Sequence, residues 1–189
     1  MDIYDEVKPA KFDEKTICTF MVGIPGCGKS TYAKSLGLPV VSTDEIQEEI
    51  NGDVENQNNG ALVFDLAYER VADFLARGKD CIFDAANVVA KYRDMAIAEI
   101  EKKLSNYNLN KVSFGNNVQD NQEEYDYANM VSFNAIVFTT AFNTCIDRQK
   151  QRGRLVPIKV CSNMQKSLER DIDKFSLFDD VKYIDNTND

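Results

Sequence analysis

Apolar residues follow two rhythms along this 189-residue chain. Short unbroken runs recur at Thr16–Met21, Pro39–Ser42, 81–85 ("CIFDA") and 134–140 ("NAIVFTT"). Their length and β-branched content predict strands buried on both faces. Between them the spacing turns helical. Val63, Ala67, Val71 and Leu75 share one face, flanked by Phe64 and Phe74, and Gly78 closes that helix. "KSTYAKSL" and "STDEIQEEI" are helix-compatible, and "AKYRDMAIAEIEKKL" predicts a helix carrying Met95, Ile97 and Ile100 inward. Further on, the pattern predicts a helix through Arg148 and Arg152, another after Pro157, and a last short strand around Val181–Ile184. Strands alternating with helices imply an α/β fold: a parallel sheet covered on both faces, with any site at the carboxyl ends of the strands.

The same pattern sets the organisation. Residues 1–15 form an N-terminal extension, 16–185 one domain and 186–189 a tail, with no repeat and no clear linker. Residues 51–60 ("NGDVENQNNG") are a polar loop by composition. The rhythm breaks over about 105–133, where seven Asn and four acidic residues accompany Tyr107, Phe114, Tyr125 and Tyr127. That stretch is read as an insertion, either an ordered hairpin or a surface loop.

Composition narrows the chemistry. The five cysteines, Cys18, Cys27, Cys81, Cys145 and Cys161, form no C-x-x-C pair and are expected to be free buried thiols. No apolar run is long enough to span a bilayer and the acidic start is unlike a secretory signal, so a cytoplasmic protein is expected. With no histidine, a general base must be a carboxylate, lysine, tyrosine or thiol. The net charge of −9 argues against a generic nucleic-acid binder. Residues 144–170 nevertheless hold seven Lys/Arg against Asp147 and Glu169, a local +5.

One motif is specific. Gly23, Gly28, Lys29 and Ser30 fit G-x-x-x-x-G-K-[ST], the loop whose backbone N–H groups cradle phosphates. It follows a strand and opens a helix, the arrangement the motif requires. Gly23, Pro25, Gly26, Cys27, Gly28, Lys29, Ser30 and Thr31 are the expected nucleotide-binding residues, with Lys29 on the β- and γ-phosphates and Ser30 on Mg²⁺. The expected ligand is ATP or GTP with Mg²⁺.

Three further elements suit phosphoryl transfer. Asp44 follows a strand end and opens a helix, where a carboxylate is placed to accept a hydroxyl proton; Ser42 to Glu45 also read as a plain capping box. Asp84 ends the strand "CIFDA" and is read as organising Mg²⁺ or the substrate, against the alternative of a turn-forming Asp. Arg148 and Arg152, spaced i, i+4, would project from one helix face and neutralise charge on the transferring phosphoryl group, against the alternative of a solvated basic face.

In order, "GIPGCGKST", "STDEI", "GKDCIFDAANVVAKYR" and "CIDRQKQRGRLVP" resemble the polynucleotide 5′-hydroxyl kinase branch of the P-loop kinases, and "FSLFDDVKYID" is similar to that branch's final strand region. The resemblance covers most of 16–185 apart from the insertion. It implies the three-layer P-loop NTPase fold with a helical lid, ATP and Mg²⁺ held by Lys29 and Ser30, Asp44 as general base, and Arg148 and Arg152 as lid arginines. Asp84 matches an acid at the end of the strand adjoining the loop strand. The implied activity is transfer of the γ-phosphate of ATP to a hydroxyl, with the 5′-OH of a polynucleotide the leading acceptor. Where nucleic-acid-phosphorylating members usually carry an arginine three residues beyond the base, this chain has Gln47. Gln47 and the acidic balance favour the alternative of a small-molecule kinase acting on a nucleoside or sugar-type alcohol. A nucleotide-dependent ATPase switch without an acceptor is the reading from another class.

Overall fold

The structure is a computed structural model that describes residues 15–52, 59–113, 130–153 and 156–188. The N-terminal extension up to residue 14, most of the polar loop at 51–60 and the centre of the Asn-rich stretch, 114–129, lie outside the described residues, and with them the choice between hairpin and loop.

Five parallel strands carry the fold: β1 (Thr16–Val22), β2 (Val40–Ser42), β3 (Cys81–Asp84), β4 (Val131–Phe138) and β5 (Asp180–Ile184), in the order β2-β3-β1-β4-β5. Six helices connect them: α1 (Lys29–Ser35), α2 (Thr43–Asn51), α3 (Gly60–Ala76), α4 (Ala90–Ser113), α5 (Phe142–Gln151) and α6 (Ile158–Arg170). The chain winds one way from β1 to β2 and the other way from β2 through β3 and β4. Right-handed crossovers therefore place α1 opposite α3 and α4, giving a three-layer α/β sandwich. The reversal beside β1 opens a crevice at the strands' carboxyl ends.

Strand register explains the layers. β1 lies in the middle, pairing Cys18 with Cys81 on one side and with Phe133 on the other. Phe20, fully buried at its centre, meets the rings of Phe83, Phe133 and Phe178 edge-on at 5.0, 6.1 and 5.2 Å. The stripe Val63, Ala67, Val71 and Leu75 is buried as its spacing required, and all five cysteines are free and buried.

Two boundaries move. β4 begins at Val131, three residues earlier than its apolar run, because Thr16 pairs with Val131 at the start of the ladder. α4 continues through Ser113, so its last turns run into the Asn-rich stretch. One side chain turns over. Met95, expected inward, is 51% exposed, while Ala96, Ile97, Ile100 and Leu104 form the buried stripe. A residue one step from that stripe rotates by about 100° and leaves the core.

Candidate active site

The loop between β1 and α1 is built by backbone geometry. Gly28 takes φ +100° and Gly26 φ +86°, the left-handed region that side chains rarely enter. Space is short as well, since a Cβ on Gly26 would lie 2.2 Å from the Cys145 carbonyl oxygen. Neighbours then fix the loop from outside. The Gly23 N–H donates to the Ala86 carbonyl at 2.9 Å, the Thr140 hydroxyl to the Cys27 carbonyl at 3.1 Å, and Gln149 Nε2 to the Pro25 carbonyl at 2.9 Å. Lys29 is buried beneath it, its ammonium donating to the Gly23 and Ile24 carbonyls at 2.8 and 3.0 Å and lying 3.6 Å from Cys27 Sγ. Those bonds centre a positive charge under the loop's N–H groups.

The carboxylates arrive from the adjoining strands. β2 ends at Ser42, whose hydroxyl accepts from the Glu45 N–H at 3.3 Å and caps α2. Asp44 therefore sits in the first turn of α2, exposed at the cleft. Ser42 pairs with Asp84, the last residue of β3, and Thr43 donates to the Asp84 carbonyl at 3.4 Å. Asp84 is only 6% exposed. Burial raises its pKa from the ordinary carboxylate value, a hydrogen bond with Ser30 and the charge of Lys29 pull it down, and Asp44 and Glu45 push it up. The capping role expected for Ser42 and the cleft position expected for Asp44 thus coexist.

These residues share one cleft of about 490 Å³. Pro25, Gly26, Gly28, Lys29 and Ser30 form its floor, and Asp44, Asp84 and Arg152 stand around it. Other expected residues sit elsewhere. Thr31 is exposed on α1 outside the cleft lining, the Cys27 side chain is buried under the loop, and Gly23 lies at the loop's start. Arg148 and Arg152 divide. Arg152 caps α5 and lines the cleft, whereas Arg148 donates to the Asn186 side-chain and main-chain oxygens at 3.2 and 2.7 Å.

A Mg²⁺ ion suits this donor set. Ser30 and the buried Asp84 carboxylate are hard oxygen donors in contact with each other, and Mg²⁺ sites commonly use one or two carboxylates plus phosphate and water. No group of three or more His, Cys, Asp or Glu is gathered among the described residues.

Several residues escaped sequence reasoning. Gln149, buried, ties the loop to the segment before α6 by also accepting from the Val156 N–H at 3.1 Å. It stands four residues after Cys145 on one helical face, the only signal it offers. Asn186, assigned to a tail, accepts from the Thr140 hydroxyl at 2.5 Å, and its amide lies 2.6 Å from where a Cβ on Gly28 would stand. Nothing in the sequence marks that contact.

The fold is shared with kinases. A protein of Chloroflexus aurantiacus assigned as a kinase superposes with a TM-score of 0.63 at 15% identity, over 93% of this chain and 88% of that one. A chain of the Pnkp1/Rnl/Hen1 RNA repair complex gives 0.58 at 16% identity, over 90% of this chain but only 50% of that one. A sugar kinase from Janibacter sp. HTCC2649 gives 0.54 at 14% identity, over 90% and 85%. At such identities the likeness is one of fold. The sequence has no significant match among curated proteins, and among the described residues no helix is long and apolar enough to cross a membrane. Residues 19–170, from β1 to the end of α6, match the model of the AAA domain, and the chain belongs to that family.

Proposed function

We propose that the chain is an ATP-dependent phosphotransferase that moves the γ-phosphate of ATP to a hydroxyl acceptor. The observation that carries this reading is the meeting, in one cleft, of a phosphate loop charged by Lys29 with two carboxylates from the next strands, Asp44 and Asp84. The loop's N–H groups and Lys29 hold the β- and γ-phosphates, and the N-terminus of α1 adds its partial positive charge. Ser30 and Asp84 hold Mg²⁺, which when bound neutralises phosphate charge. Asp44 accepts the acceptor's proton, and Arg152 offsets charge developing on the γ-phosphoryl group. Arg148, bonded to Asn186 and outside the cleft lining, is given no role in the transfer.

Two acceptors are in view. The sequence resemblance and the basic 144–170 segment favour the 5′-OH of a polynucleotide. The cleft favours the second, a small alcohol, because Gln47 stands in its wall where a phosphate-gripping member carries arginine. The test is transfer of label from γ-labelled ATP to acceptors. Asp44→Asn should cut transfer by about 10²–10⁴-fold and leave Mg–ATP binding intact. Phosphate released from ATP at one rate with or without acceptor, and untouched by Asp44→Asn, supports an ATPase switch instead.

A further inference from the structure

Away from the phosphate loop the cleft changes character. Its outer wall consists of Val63 and Phe64 of α3, Val160 and Met164 of α6, and Gln47 of α2. Phe64 is 41% exposed, yet braced: its ring centroid lies 6.0 Å from Tyr68, whose own ring meets Phe83 edge-on at 5.8 Å. Phe83 immediately precedes Asp84 in β3, so the aromatic shelf on α3 rests against the strand that carries that carboxylate. Gln47, buried, contributes an amide that both donates and accepts.

Charge is distributed the other way. Among the described residues lining the cleft, the charged side chains are Lys29, Asp44, Asp84 and Arg152. Lys29 is fixed by carbonyls of the phosphate loop itself, and a nucleotide triphosphate takes up the positive charge that Lys29, Arg152 and a bound Mg²⁺ would supply. With Asp84 given to Mg²⁺, what remains for an acceptor is the Asp44 carboxylate and an apolar wall. An acceptor with a phosphate of its own would meet like charge and, among the described residues lining the cleft, no further counter-charge.

We infer that the acceptor is an uncharged, nucleoside-sized alcohol, its flat ring stacked on Phe64, its polar edge against the Gln47 amide, and its hydroxyl turned to Asp44. This deepens the kinase reading of the same cleft and rests on it. In the transfer, the acceptor oxygen bonds to the γ-phosphorus while the bond from that phosphorus to the β,γ-bridging oxygen breaks. The bridging oxygen keeps the electron pair and leaves on ADP, and the hydroxyl proton passes to the Asp44 carboxylate.

The experiment compares kcat/KM for four acceptors under one set of conditions with γ-labelled ATP, after Mg–ATP binding has been measured by calorimetry. The acceptors are nucleosides, the corresponding nucleoside 3′-monophosphates, an acyclic polyol lacking a ring, and a 5′-OH oligonucleotide. Nucleosides should exceed each of the others by about tenfold or more, the discrimination expected when a phosphate has no partner or a stacking face is missing. Phe64→Ala, at an exposed position, should raise KM for the nucleoside about tenfold to a hundredfold, the usual value of one base–aromatic stack, with Mg–ATP affinity within about twofold of the parent. Gln47→Arg should narrow the gap between nucleoside and 3′-monophosphate. Equal or better use of the 3′-monophosphate, the polyol or the oligonucleotide overturns the inference. So does Mg–ATP binding without label reaching any nucleoside. Absence of Mg–ATP binding refutes the kinase reading itself, a separate outcome.

Discussion

Two buried polar clusters stand among the described residues, each beside a cleft, but only one turns its buried charges into it. At the outer end of α4, Arg93 is fully buried, donating to the carbonyls of Asn87, Asp171 and Lys174 at 2.8, 3.0 and 2.9 Å, with its guanidinium carbon 4.1 Å from the Phe175 ring centroid. Asp171 completes the cluster by accepting from the Ala90 N–H at 3.0 Å, and from Arg170 and Lys174 at 2.8 and 2.9 Å. Those bonds clamp the start of α4 to the exit of α6 and end within the chain. Asn87, in the left-handed region at φ 51°, passes the clamp on by donating to the Met21 carbonyl at 2.9 Å, just before the phosphate loop. Lys174 and Phe175 border a shallow cleft beside that clamp, but Arg93 and Asp171 do not line it, whereas Lys29 and Asp84 line theirs directly. A buried charge therefore does not mark a site by itself. What sets Lys29 and Asp84 apart is that they line a cleft next to the phosphate-loop motif.

The contrast can be tested by removing members of each cluster. Arg93→Ala should have the largest effect on stability, about 3–5 kcal/mol, because it deletes a packed side chain and strips three carbonyls of their donor. Denaturant unfolding checks it, and a loss under about 1 kcal/mol would show that the clamp is ornamental. Asp171→Asn should cost about 2 kcal/mol near neutral pH through its weakened charged hydrogen bonds. Those partners hold the Asp171 carboxyl well below the ordinary carboxylate range, so its stabilisation is full above the unfolded value of 3.8 and is lost as pH falls toward the folded one. The parent should lose stability through that acid window and the variant should show a flatter profile there. Asp84→Asn should act in the opposite sense. Burial raises the Asp84 pKa, so ionising it costs stability as pH climbs from the unfolded value through the folded one. At pH 7 the variant should be more stable by about 0.5–1 kcal/mol, the gain typical of relieving a functional site, and markedly weaker in Mg²⁺-dependent turnover. A destabilised Asp84→Asn would place Asp84 in the structural class beside Asp171.

The two clusters were not equally legible in the sequence. Gly23 to Ser30 span eight consecutive positions, and the physics of holding phosphate with backbone fixes their spacing locally. Asp44 and Asp84 could be found because each ends or follows a short apolar run, and parallel strands bring such ends to one edge. Arg93 and Asp171 lie 78 positions apart, joined only by folding. The helical pattern even pointed the wrong way there: it turned Met95 inward, because counting apolar letters overlooks an arginine whose stem and planar head can be buried. The division of Arg148 from Arg152 was likewise hidden, since the i, i+4 spacing says nothing of the Asn186 segment that claims Arg148. Gln47 was visible as a letter, but its place in an uncharged wall with Phe64 required α2, α3 and α6 to line one cleft.

Calorimetric titration of the parent protein and Lys29→Met with Mg–ATP tests the central claim most directly. One saturable site should appear in the parent, weakened about a hundredfold or more by loss of the ammonium charge, with unfolding of the variant altered by no more than about 1–2 kcal/mol. No uptake of a magnesium–nucleotide complex by the parent, or undiminished uptake by Lys29→Met, would contradict it.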